Sequence, residues 1–197
     1  MSKLYFYYSS MNSGKSTTLL QSSFNYKERG MRTFLFNFSG DTRMGAGTIN
    51  SRIGLSEEAY LFDSNTNLFE VVKSEGADIN IDCVMIDESQ FLTKQQVLQV
   101  SDICDSLGIP VMAFGLRTDF LGELFEGSAA LLANADKLIE IKGVCYCGRK
   151  TTHVLRKDSH GTVSTEGEKI SIGGEESYIS VCRKHHKEAI NNARQRQ

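Results

Sequence analysis

Eight residues near the N-terminus have the types and spacing to hold a nucleotide: Ser9, Ser10, Met11, Asn12, Ser13, Gly14, Lys15 and Ser16. They follow an aromatic-rich run at 3–8 that reads as a buried strand. They precede a stretch at 17–29 with helical spacing, which stops at Gly30. Strand, small-residue loop, Gly-Lys-Ser and helix together make the context of a phosphate-binding P-loop. Small residues let the backbone curl round phosphate oxygens with its N–H groups inward. Lys15 adds a point charge for the β- and γ-phosphates, and the Ser16 hydroxyl can ligate Mg²⁺. The first loop position, where the pattern wants Gly, holds Ser9. Serine is penalised at positive φ, so an ordinary backbone conformation is expected there.

A second pair with chemical potential is Asp87-Glu88, directly after the apolar run Val84-Met85-Ile86. A carboxylate at the tip of a buried strand beside a P-loop holds Mg²⁺, directly or through water, and Asp87 is assigned that part. Glu88 can point at a different target and accept the proton of an attacking hydroxyl. The competing reading is a helix cap or an arginine pair, but two adjacent acids ending a buried strand are hard to explain by packing. Both motifs together fit phosphoryl transfer to an alcohol, and equally a water-using ATPase.

A third constellation lies near the C-terminus. Cys145 and Cys147 form Cys-x-Cys, and Cys182 and His185 form Cys-x-x-His. Four such ligands suit tetrahedral Zn²⁺, with a filled shell and hence a structural role. His186 is an alternative fourth ligand; the spacing favours His185. Such a metal would pin both ends of 148–181, leaving a loop able to close over a ligand. Cys83 and Cys104 fall inside a strand and a helix and read as core.

These groups need a scaffold. Strands are expected at 31–38, 81–87, 110–115 and 137–141, and helices at 66–74, 94–107 (capped by Thr93) and 127–135. Gly40 to Gly54 has little periodicity and reads as a flexible loop. Strands alternating with helices imply an α/β fold with a parallel sheet covered on both faces. After Lys142 the texture turns polar and Gly-rich, with short strand candidates at 153–156, 169–172 and 178–181 and a closing helix from Lys184 to about Ala193. The division is therefore 1–142 for a P-loop nucleotide-binding domain, 143–188 for a zinc-binding subdomain, and 189–197 for a helix end and tail. The 197 residues suffice for one domain with a small appendage, and 40% apolar residues suffice for its core. Net charge is −2 without a long basic run, which argues against a dedicated duplex-DNA binder, and no nucleic-acid partner is expected. No run reaches transmembrane length and no signal-peptide pattern opens the chain, so a cytoplasmic protein without membrane contact is expected. Five cysteines in that setting suggest thiols or metal ligands rather than disulfides.

The motifs LYFYYSSMNSGKST, MIDESQF, FGLRTDF, GELF, CYCGRK and IGGEESYISVCRKHHKEA span nearly the whole chain. Taken together they resemble the zinc-containing, cellular type of thymidine kinase in its enterobacterial form. This chain departs from the family pattern in its tight Cys-x-Cys, in His185 where a fourth cysteine is usual, and in Ser89 where Gly or Cys is usual. The resemblance implies ATP-dependent phosphorylation of the 5′-hydroxyl of thymidine, and of deoxyuridine, in nucleotide salvage. It implies Glu88 as the base, and 9–16 with Asp87, Glu88, Ser89 and Gln90 at ATP and Mg²⁺. It further implies a lasso-like loop within 148–181. Met11, Leu116, Phe120, Phe125, Ile172, Gly173 and Tyr178 would then surround the nucleoside. Apolar and aromatic walls suit the faces of a pyrimidine; without the resemblance, Phe120 and Phe125 read equally as core. Asp41 and Arg43 match the family's Asp-x-Arg, where Arg43 can stabilise the transferred phosphoryl group or form a structural salt bridge. A homotetramer and feedback inhibition by dTTP are also implied. The alternative is a P-loop ATPase whose zinc module acts on nucleic acid.

Overall fold

The computed structural model describes residues 2–40, 47–158, 161–167 and 178–195. Six parallel strands form its centre: β1 (Leu4–Ser9), β2 (Thr33–Phe38), β5 (Tyr60–Phe62), β6 (Cys83–Ile86), β7 (Val111–Leu116) and β8 (Lys137–Glu140), in the spatial order β5-β2-β6-β7-β1-β8. Alternate residues face opposite sides of a strand, and both sides here are apolar. Leu4, Phe6, Phe36, Val84 and Ile86 pack with Val72 of α2 (Leu68–Glu75), Val97, Val100 and Ile103 of α3 (Lys94–Ser106), and Leu131 of α4 (Glu126–Asn134). Leu35, Cys83, Met85 and Phe114 pack on the other side with Leu19 and Leu20 of α1 (Lys15–Glu28). Cys83 and Cys104 are buried in these layers.

The element ends follow local chemistry. Helix α1 starts at Lys15, two residues before the expected position, because Gly14 turns the chain at φ 86° and acts as its N-cap. Only glycine takes that conformation without steric cost. Thr93 caps α3 with a complete capping box: its side chain accepts from Gln96 N–H while the Gln96 side chain accepts from Thr93 N–H. Asn67 caps α2 through Glu70 N–H, so that helix begins at Leu68 rather than Thr66.

The expectation of an unstructured stretch from Gly40 to Gly54 is corrected in part. β3 (Thr48–Asn50) and β4 (Ser56–Glu58) form an antiparallel hairpin. Asn37 anchors it by donating to Thr48 O, and Ser23 of α1 donates to Glu57. Strand β5 was likewise not expected.

Beyond the sheet, β9 (His153–Arg156) and β10 (Tyr178–Val181) pair antiparallel, and α5 (Arg183–Arg194) packs on them. Their core is small: Leu155, Val181 and Ile190 with Cys145 and Cys182. The strand expected at 169–172 lies outside the described residues.

Candidate active site and metal cluster

The phosphate loop leaves the carboxyl end of β1, where ligand sites in open parallel sheets lie. Ser9 adopts no positive φ; the strained position is Asn12, at φ 59°. Lys15 is buried, with its Nζ 3.5 Å from Ser10 O. Ser16 Oγ donates to Asp87 Oδ2 at 2.7 Å and so joins the start of α1 to the tip of β6. Asp87 is buried. Burial, followed by the adjacent Glu88 charge, pushes its carboxyl up to about 6, against the pull of Ser16 and Lys15.

Glu88 is the second non-glycine residue with left-handed backbone, at φ 51° and ψ 36°. It caps a single 3₁₀ turn, Ser89–Phe91. Left-handed non-glycine residues persist only where their surroundings over-determine them, and they cluster at functional sites. One such surrounding group is Gln90, whose Nε2 donates to Glu88 Oε2 at 2.5 Å while its Oε1 accepts from Leu116 N–H at 2.9 Å. Ser89 is fully buried and packs against Gly115, where a Cβ would stand 2.6 Å from its hydroxyl. The side chains of Ser89 and Gln90 are thus engaged with the end of β7.

Leu116 closes β7, and the segment after it carries Phe120 and Phe125, both buried. The Arg156 guanidinium of β9 lies 3.9 Å from the Phe120 ring centroid, a cation–π contact. His186 Nε2 is 2.9 Å from Phe120 O, and the His186 ring lies 4.6 Å from that of His153. Phe91, which sequence reasoning passed over, stands between Phe38 (4.5 Å) and Phe125 (6.0 Å). Its only signal was its place one residue after Gln90. Between Met11, Asn12 and Ser13 on one side and Gly143, Thr151, Tyr178 and Ser180 on the other lies a cavity of about 250 Å³. Asp41, Arg43, Ile172 and Gly173 lie outside the described residues.

Cys145, Cys147, Cys182 and His185 converge, with their ligand atoms all within 4.8 Å of one another. Cys147 Sγ is 3.9 Å from Cys182 Sγ, and His185 Nδ1 is 3.3 Å from Cys145 Sγ and 3.6 Å from Cys182 Sγ. A tetrahedral zinc shell has edges of about 3.8 Å between sulfurs and about 3.6 Å from sulfur to nitrogen, so the donor set fits such an ion. Burial opposes ionisation of Cys145. Hydrogen bonds from Cys147 N–H, His185 and Cys182 N–H outweigh it and bring the thiol down to about 6. Tyr146 stacks on His185 with centroids 4.3 Å apart. Among the described residues, no helix is long and apolar enough to cross a membrane.

Comparison with known proteins gives consistent results. The family described as Thymidine kinase matches residues 2–186. A protein named Thymidine kinase from Salmonella typhimurium is 60% identical over 190 residues, covering 96% of this chain and 93% of the relative. One of the same name from Yersinia pestis is 57% identical over 193 residues, covering 98% of each. Another, from Aliivibrio fischeri, is 56% identical over 190 residues, covering 96% of this chain and 99% of the relative.

Proposed function

The chain belongs to the thymidine kinase family, and from that premise we infer how its residues transfer a phosphoryl group from ATP to thymidine for nucleotide salvage. The backbone N–H groups of 9–16 and the Lys15 ammonium hold the donor's phosphates. Ser16 and Asp87, both hard oxygen donors, would hold Mg²⁺, which when bound offsets phosphate charge. Glu88 accepts the proton of the 5′-hydroxyl as that oxygen attacks the γ-phosphate. Gln90 keeps the carboxylate turned toward that task. Leu116, Phe120, Phe125 and Tyr178 form the walls for the base and sugar, joined by Met11, Ile172 and Gly173, with Asp41 and Arg43 near the transferred group. Cys145, Cys147, Cys182 and His185 would hold zinc, tying the hairpin's two ends together.

The observation that supports this reading best is the 2.7 Å contact between Ser16 and Asp87, with Glu88 the next residue in a strained turn. It joins a hydroxyl of the phosphate loop to the first of two acids that follow β6 at one end of the sheet. The test is to incubate the protein with labelled ATP and each nucleoside in turn; thymidine is expected to give dTMP. Glu88→Gln is expected to lower kcat about 10²- to 10⁴-fold while ATP binding persists. Near-normal turnover in that variant would overturn the base assignment.

The same reading includes deoxyuridine as a second acceptor, dTTP as feedback inhibitor, a cytoplasmic location and a homotetramer. Support for self-association comes from exposed apolar side chains, Leu138 on the edge strand β8 and Phe24 on α1.

A further inference from the structure

The phosphate loop is held from two directions. One is its own strand and helix. The other is the hairpin side, and it acts through hydroxyl groups. Ser10 Oγ donates to Thr151 Oγ1 at 2.7 Å, with both residues buried. Ser180 Oγ, on β10, donates to Met11 O at 2.6 Å. We propose that Thr151 and Ser180 are positioning residues for the phosphate loop, fixing its backbone so that donor binding finds the N–H cradle already set. The inference rests on the P-loop reading given above.

Three features carry it. Asn12, directly after Met11, is left-handed without being glycine. Asparagine tolerates that conformation better than most residues, so the turn is available locally, and the Met11 carbonyl grip immediately beside it fixes where the loop turns. The grip is itself rigid: Thr151 N–H donates to Gly143 O, and Thr152 N–H donates to Val181 O, both at 3.0 Å. The approach is also close. A Cβ on Gly143 would stand 2.6 Å from both Ser13 Oγ and Thr151 Oγ1, so the 143–151 segment and the loop meet with no room for a side chain between them. Where the usual pattern relies on glycine to shape the loop, this chain uses serines. Ser9 Oγ donates to Ser10 O, and Ser10 Oγ lies 3.2 Å from Ser13 Oγ. The hydroxyl web ends on Thr151. An anion cradle of backbone donors is effective in proportion to its preorganisation, so loosening these two anchors falls on the donor.

The test measures ATP binding by titration calorimetry, together with kcat and KM for thymidine at saturating ATP. Ser180→Ala and Thr151→Val are each expected to weaken ATP binding about five- to tenfold, leaving the thymidine KM within about twofold. Ser180→Thr and Thr151→Ser, which keep the hydroxyl, are expected to restore wild-type affinity. In a double-mutant cycle, Ser10→Ala added to Thr151→Val is expected to cost little more than Thr151→Val alone. A merely structural role would lower Tm and the active fraction while the folded fraction bound ATP normally. That result would overturn the proposal, as would additivity in the cycle or failure of the hydroxyl-keeping variants to restore binding. If the wild-type protein phosphorylates thymidine and both anchor variants bind ATP normally, the proposal alone fails. If the wild-type protein does not bind ATP, the P-loop reading beneath it fails.

Discussion

The phosphate loop and the Cys₃His cluster are both short loops holding reactive groups at defined separations, yet they are secured by opposite means. The phosphate loop follows β1, which lies between β7 and β8, and it precedes α1, whose Leu19 and Leu20 are buried. Burial of the flanking elements fixes its two ends. The cluster sits on two strands and one helix with three aliphatic side chains at their centre. A two-stranded hairpin is marginal on its own in water, so a metal held by these four residues would do what a core does elsewhere. With the proposed zinc in place, the contrast teaches that one chain can build a site from surplus hydrophobic surface and tie down another that lacks it by coordination.

Metal removal strains this comparison most. Chelation, or Cys182→Ser, is expected to abolish amide-exchange protection in β9, β10 and α5 while β1, β6 and β7 stay protected. Structural zinc contributes on the order of 10 kcal/mol in small domains, far beyond what this small core could replace. Equal loss of protection in both regions would show that the sheet depends on the cluster, and the contrast would collapse.

A smaller effect sharpens the sheet side. Burial and the Glu88 charge push the Asp87 carboxyl up to about 6 from its ordinary 3.8, so the folded state binds its proton more tightly than the unfolded chain does. Its ionised form therefore costs stability, fully above about pH 6 and not at all below the unfolded value. Asp87→Asn, which can still accept from Ser16, is expected to stabilise the nucleotide-free protein at pH 7 by about 2 kcal/mol. The gain should shrink to nothing as pH falls to 4, and kinase activity should be lost throughout. Thermal melts of both proteins across that range check it; a pH-independent gain would assign the effect to packing instead.

The smallest effect tests whether the sheet side is uniformly robust. Thr93→Ala removes the capping box of α3, at an expected cost of about 1 kcal/mol with kcat unchanged. A fall in kcat at fixed folded fraction would mean that α3 tunes the site.

Much of this was legible in the residues. The P-loop order, the apolar run before Asp87 and the strands His153–Arg156 and Tyr178–Val181 all rest on local pattern, and patterns of that kind survive folding. Strands of three residues do not: β3, β4 and β5 are too short for a period, and Ser56–Glu58 carries charge where a strand signal needs branched or aromatic side chains. The tertiary bonds of Gln90, Thr151 and Ser180 were beyond reach for a different reason. Each residue acts through a partner set by the tertiary fold, at sequence separations of 26, 141 and 169. A single polar residue announces no such partner. His186 illustrates the same limit, since its Phe120 carbonyl partner appears only once α5 is docked.

The left-handed turn at Glu88 bears on anyone wishing to retool this protein. Because the main chain itself sets the direction in which the side chain leaves, aim and reach are separable there. Aspartate or asparagine, which tolerate that geometry, would shorten the arm and leave its bearing intact, whereas valine or isoleucine would unseat the turn before any question of reactivity arose.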